Sequence, residues 1–171
     1  IFTMKKILLP ILACLFLTNC ESATMVDNTP IASIDLNRYL GTWYEIARYD
    51  HRFERGMEHT MANYSLRQDG MIAVKNTGIK DGEFKVSEGK AKTTDIPALL
   101  RVSFFGPFYG DYRILLLGEN YEYSLVGGGS DDYLWILSRT PEVDGTTLNK
   151  ILDEAIKRGY DTSRLIWVNH E

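Results

Sequence analysis

The chain has 171 residues, 44% of them hydrophobic and 25% charged, which describes one globular domain rather than two domains or a disordered segment. Its net charge is −4, or −6 once Lys5 and Lys6 are removed with a leader, and it has no basic run; nucleic acid and electrostatic capture by anionic lipid are therefore poor readings, and any membrane attachment must come from apolar groups. The two cysteines, Cys14 and Cys20, both precede the folded part, which is left without a disulfide, a thiol nucleophile or a thiolate metal site.

From Met4 the sequence reads as an export signal. Lys5 and Lys6 form a basic start, and Ile7 to Leu17 form an apolar stretch too short to span a membrane. Leu17-Thr18-Asn19-Cys20 resembles a bacterial lipobox, in which the cysteine is acylated and becomes the first mature residue; Asn19 departs from the small residue usual at that place. Cys14, after Ala13, is the alternative anchor, and a plain cleaved signal is the other. The expected division is a lipoprotein signal peptide over 1–19, a polar flexible stalk with Pro30 over 20–33, and the folded domain over 34–171. Glu21 after Cys20 resembles an outer-membrane sorting signal, which implies a lipid-anchored protein facing the periplasm.

Short strand-like runs then alternate with turn residues. They are Thr42 to Tyr49, Glu58 to Arg67, Met71 to Lys80, Glu83 to Thr93, Leu99 to Phe105, Asp111 to Leu117, Tyr121 to Val126 and Tyr133 to Arg139, with a longer loop from Asp50 to Met57. Asp69-Gly70, Asp81-Gly82, Gly106-Pro107, Gly118-Glu119-Asn120 and Gly127-Gly128-Gly129-Ser130 mark turns between them. About eight short strands with tight connections predict an up-and-down antiparallel barrel or a sandwich. Beyond them Leu148, Ile151, Leu152, Ala155 and Ile156 make one helical stripe, capped by Asp144 or Thr146 and ended by Gly159. With a single apolar face, that helix belongs on the outside of the sheet. A short apolar run, Leu165 to Val168, follows it.

Gly41-Thr42-Trp43-Tyr44-Glu45-Ile46-Ala47-Arg48 resembles the first-strand motif of the lipocalins, Gly110-Asp111-Tyr112 their second motif, and Ser138-Arg139-Thr140 their third. Phe53-Glu54-Arg55-Gly56, the run from Ser103 to Gly110 and the run from Tyr133 to Pro141 resemble the bacterial outer-membrane lipoprotein lipocalins in particular. The resemblance extends from about residue 34 to the C-terminus. It implies an all-β fold, an eight-stranded up-and-down antiparallel β-barrel with one C-terminal α-helix packed outside, and a ligand entrance at one end. Topology supports the same picture. In an eight-strand meander the start of the first strand and the end of the eighth lie at the same end, so closure would set the Arg139 guanidinium over the Trp43 indole, with Gly41 beside them. Such a contact is worth about 0.5–2 kcal/mol and would make that end the closed one.

Strict alternation along the strands turns Glu45, Ala47 and Tyr49 inward with Trp43, and Tyr133, Trp135 and Leu137 inward with Arg139. The resemblance adds Ala62 and Tyr64. The expected ligand-binding residues are Ala47, Tyr49, Ala62, Tyr64, Phe104, Tyr112, Tyr133 and Trp135, and a barrel of about eight strands has room for one small ligand. A packed core is the competing use for the same rings. The aromatic segment from Phe104 to Tyr109 suits a lid over the cavity, or a membrane or dimer contact.

Other signals fail. The glycine run at 127–129 lacks the lysine and helix of a phosphate loop, and His51, His59 and His170 lack metal-ligand spacing. No cofactor, metal or catalytic residue is expected. The leading expectation is a non-enzymatic carrier of fatty acids or lysophospholipids in the cell envelope. The alternatives are an enzyme acting on a bound lipid or isoprenoid, with Glu45 and Tyr64 as the groups to suspect, and an empty barrel that binds a partner through its aromatic loop.

Overall fold

A computed structural model describes residues 26–171. The signal segment, Cys14 and Cys20 lie outside the described residues. Eight strands follow one another as hairpins: β1 (Gly41–Tyr49), β2 (Glu58–Leu66), β3 (Ile72–Lys80), β4 (Glu83–Thr93), β5 (Leu99–Phe105), β6 (Phe108–Leu117), β7 (Tyr123–Gly127) and β8 (Leu134–Ser138). Each pairs antiparallel with the next, and β1 pairs with both β2 and β8, which closes the barrel. Closure gives each strand a neighbour on both sides, leaving free the first half of β4, whose pairing with β5 begins only at Lys90, and one stretch of β1, which a short β9 (Leu165–Trp167) takes up through Ala47, Arg48 and Tyr49.

Local chemistry sets the turns. Asp81 and Gly82 both have positive φ, 53° and 76°, the conformation that a two-residue hairpin between right-twisted strands requires and that Asp-Gly adopts readily. The β5–β6 connection is tighter than the sequence indicates. Phe105 pairs with Phe108 across Gly106-Pro107, so the expected loop from Phe104 to Tyr109 is the tip of a continuous hairpin.

A helix α1 (Leu36–Tyr39) precedes the barrel, with the Asp35 carboxylate accepting from the Asn37 and Arg38 backbone N–H groups. A second helix, α2 (Gly145–Lys157), packs outside. Asp144 caps it in the same way, through the N–H groups of Thr146 and Thr147. Its buried residues, Ile151 and Ala155, lie against a cluster that includes Leu115, Leu125, Leu134 and Ile136. The fold therefore has two apolar layers, one between α2 and the wall, the other inside the barrel around Trp43, Ile114, Val126 and Leu137.

Residues 26–33 depart from the expected flexible stalk. Their backbone is held along the outer wall. The Ile31 N–H donates to the Ile114 carbonyl, Arg113 and Arg158 donate to the carbonyls of Asn28 and of Asp27 and Thr29, and the Tyr160 hydroxyl donates to Asn28 Oδ1. The polar composition of this strap is that of a linker, but the backbone at Asp27, Asn28, Thr29 and Ile31 and the Asn28 side chain are bonded to the rest of the fold.

Candidate functional site

The end of the barrel where β1 starts and β8 finishes is sealed. The Arg139 guanidinium carbon lies 3.8 Å from the Trp43 ring centroid. Its N–H groups donate to the carbonyls of Arg38, Tyr39, Leu40, Thr42 and Tyr121 at 2.8–3.2 Å. The Trp43 indole N–H donates to the Tyr39 carbonyl at 2.8 Å, and the Tyr39 ring packs 4.9 Å away. Gly41 has φ +98°, a backbone conformation that favours glycine, and a Cβ there would approach Arg139 Nη1 to a tight 3.3 Å.

Above this plug three tyrosines converge from α1, β2 and β6. Tyr112 Oη lies 2.7 Å from Tyr39 Oη and 3.1 Å from Tyr64 Oη, and Tyr39 donates on to Ser124 Oγ. Burial raises all three phenols above their ordinary range, Tyr39 to about 12, so they stay protonated and act as neutral hydrogen-bonding groups. Beside them is an apolar cleft bounded by Leu40, Ile72, Val74, Ala91, Leu100 and Val102, with a cavity volume of about 10 Å³.

Toward the other end the interior becomes polar. Arg48 Nη1 donates to Glu45 Oε1 at 2.6 Å, and Nη2 donates to the carbonyls of Glu54 and Met57 at 2.7 and 3.0 Å. The last two belong to the loop after β1, which Arg48 thereby draws across the mouth. Glu54 Oε2 accepts from the Trp135 indole N–H at 3.2 Å and lies 2.8 Å from His51 Nε2. Trp135 is stacked on Tyr133 at 5.8 Å and meets the His51 ring at 5.4 Å. The loop at 50–57 is therefore a lid, pinned by one arginine and one tryptophan. Among the described residues, Arg48 Nε, His51 Nδ1 and Asn76 Oδ1 are buried without a hydrogen-bond partner.

The expected site residues separate into two groups. Ala62, Tyr64, Tyr112 and Trp135 belong to the interior, with Tyr133 at the mouth against Trp135. Phe104 lies near the rim, its ring so close over Gly89 that a Cβ there would clash at 2.8 Å. Ala47 and Tyr49 do not face the interior. They belong to the layer under α2, where the Tyr49 hydroxyl donates to the Asp161 carbonyl. The reason is a β-bulge. Glu45 opposes Leu137 and Ala47 opposes Ile136, so Ile46 is an extra residue, and the face presented to the interior passes from Glu45 to Arg48. Sequence reasoning missed Arg48, Glu54 and Tyr39. Tyr39 had a local signal, the Asp35 cap immediately before its helical turn, whereas Arg48 and Glu54 stood out only as members of the family-like runs that contain them. Glu45 and Tyr64, on which the catalytic alternative rests, belong to separate hydrogen-bond networks, one running through Arg48 to the lid and the other through Tyr112 to Tyr39 and Ser124.

Burial pushes the Glu45 carboxyl up to about 8, and the Glu54 charge adds to this against the pull of Arg48. Glu54 shows the opposite balance: burial raises it, but the hydrogen bond and charge of His51 bring it below the ordinary value. The folded state then holds a proton on Glu45 that the unfolded chain releases near 4.5, so this group's contribution to stability falls as pH rises from about 4.5 to about 8. Glu45→Gln cannot titrate, and its stability should decline less than that of the parent across this window. Denaturant titrations of both proteins near each limit check this, and parallel pH dependences would contradict it.

A family model described as a lipocalin-like domain matches residues 34–170. The outer membrane lipoprotein Blc of Escherichia coli (strain K12) is 49% identical over 162 residues, covering 92% of this chain and 89% of that protein. The protein of the same name from Vibrio cholerae is 48% identical over 149 residues, 83% and 86% of the two chains. Among solved structures, insecticyanin from the tobacco hornworm Manduca sexta superposes with a TM-score of 0.71 at 20% identity over 84% of each chain, a likeness of fold alone.

Proposed function

Because this chain belongs to the lipocalin family, we propose that it is a lipid-anchored outer-membrane protein facing the periplasm that carries one single-chain amphiphile, a fatty acid or a lysophospholipid, inside its barrel. It acts as a binding protein rather than an enzyme. The observation that carries this reading is the polarity of the barrel along its axis. One end is plugged by Trp43 and Arg139 and leads into an apolar cleft, while the other is covered only by a lid whose underside is charged. An acyl tail matches the first environment and a polar headgroup the second.

As folded, the cleft holds about 10 Å³, roughly one water, so a tail enters only when the lid swings away and the interior side chains rearrange. The lid is suited to that. It is held by the two carbonyl contacts of Arg48 and by Glu54, and when it lifts, Arg48 Nε, His51 Nδ1 and Asn76 Oδ1 are donors and acceptors for a headgroup. The likeness to proteins named outer membrane lipoproteins and the lipobox-like Leu17 to Cys20 support acylation of Cys20 after removal of residues 1–19. Organic extraction of the protein purified from its native membrane tests the reading. Mass spectrometry should find one fatty acid or lysophospholipid per chain. Two-chain phospholipid alone, no lipid, or turnover of added lysophospholipid would contradict it.

A further inference from the structure

We propose that the barrel stands mouth-down on the bilayer to which it is tethered, with the open rim docked on the lipid surface. This rests on the lipid-anchor reading for the tether, but its main support is independent. Of the large exposed aromatics, all but Trp167, which lies on the outer wall where β9 pairs with Ala47 of β1, are at the open end. Phe53 on the lid is 57% exposed, Phe84 beside the β3–β4 turn 67%, and Phe105 and Phe108 on the β5–β6 turn 70% and 78%. Four rings on three of the four rim connections form an apolar collar that water alone does not favour. At the closed end the large exposed hydrophobics among the described residues are Leu66 and Ile96, both aliphatic.

The path of the strap points the same way. The Asp35 N–H donates to the Tyr121 hydroxyl at the closed end, and Ile31 is bonded to Ile114 midway along β6. Asn28 is beside Gly127, the rim end of β7, and Asp27 donates to the carbonyl of Arg158 at the end of α2. Traced backwards, residues 35 to 26 climb the wall from the closed end toward the rim. Six residue-to-residue steps separate Val26 from Cys20, and fully extended they reach about 20 Å. The nine residues of β1 span about 30 Å along a strand tilted by about 40°, a wall about 23 Å high. An anchor at Cys20 therefore reaches a bilayer under the rim easily and one under the closed end only at the limit of its length.

The exposed rim charges are Arg52, Arg55 and Lys85 and the more numerous Asp50, Asp81, Glu83, Asp131 and Asp132, so attraction to anionic headgroups does not favour docking and the occupant is defined by apolar contact rather than by its charge. Arg52 lies 4.8 Å from the Phe53 ring centroid, an arrangement in which the ring enters lipid while the guanidinium stays among headgroups. A barrel docked in this way exchanges its ligand with the bilayer directly, without passage through water.

The test uses the full chain, matured and reconstituted in vesicles of phosphatidylethanolamine and phosphatidylglycerol, with the photoreactive residue p-benzoylphenylalanine at position 105 or, as the closed-end control, at position 66. Acylation at Cys20 is read separately from the mass of the N-terminal peptide. The expected result is crosslinking to two-chain phospholipid from position 105, undiminished at high salt, and none from position 66. If the chain is acylated and both positions crosslink equally or not at all, the orientation is overturned while the anchor stands. If the chain is not acylated and position 105 still captures phospholipid, the docking rim is supported and the anchor reading falls. If the chain is not acylated and position 105 stays free of lipid, both fall.

Discussion

Trp43→Ala should lower folding stability by about 3–5 kcal/mol, the range for truncating a fully buried large aromatic. The indole is inaccessible to solvent, holds the Tyr39 carbonyl and supports the Arg139 guanidinium, so its loss opens the closed end from both sides. Arg139→Ala should cost about 2–4 kcal/mol, since it strips the cation from the ring and leaves part of a five-carbonyl cluster without donors. The double variant should be less unstable than the sum of the two by about 1–2 kcal/mol, because the stacking contact can be lost only once. Phe105→Ala, at an exposed rim position, should stay within about 0.5 kcal/mol of the parent. Denaturant titrations of the four variants decide this, and strict additivity would mean that the two side chains stabilise the fold separately.

This plug was legible in the sequence for a topological reason. An even number of antiparallel strands brings the two strand ends together whatever the details of the wall, so Trp43 and Arg139 could be paired without knowing a single register. The turns were legible because Asp81-Gly82 and Asp69-Gly70 have few other conformations open to them, and α2 because its apolar stripe persists for several turns. The lining of β1 was not. Alternation holds only while the ladder is regular, and the extra residue at Ile46 leaves no local signal, since Ile46, Ala47 and Tyr49 suit either face. It is this bulge that sends Tyr49 under α2 and brings Arg48 into the barrel.

The lid and the strap escaped for a second reason. Their conformations are fixed by partners far away in the chain: Glu54 by Trp135, Asn28 by Arg113 and Tyr160, Asp27 by Arg158. Short polar segments carry no periodicity, so nothing within residues 26–33 or 50–57 distinguishes a docked segment from a solvated one. The polar contacts that control access to the barrel are thus the part of the site least visible in sequence. The apolar interior, built from strands, is the part most visible.

The carrier reading makes a quantitative demand on affinity. Burying a tail should contribute about 0.8 kcal/mol per methylene, or about a fourfold gain in affinity for each carbon added, until the tail fills the apolar part of the tube. Trp135 reports the same event, because lifting Glu54 from its indole N–H changes its surroundings and should shift its fluorescence. Titration calorimetry of the protein with a chain-length series of saturated fatty acids and lysophospholipids is the most direct test. The account predicts one ligand per barrel, with affinity rising steeply with chain length and then levelling off. No saturable binding, or equal affinity for short and long tails, would contradict it.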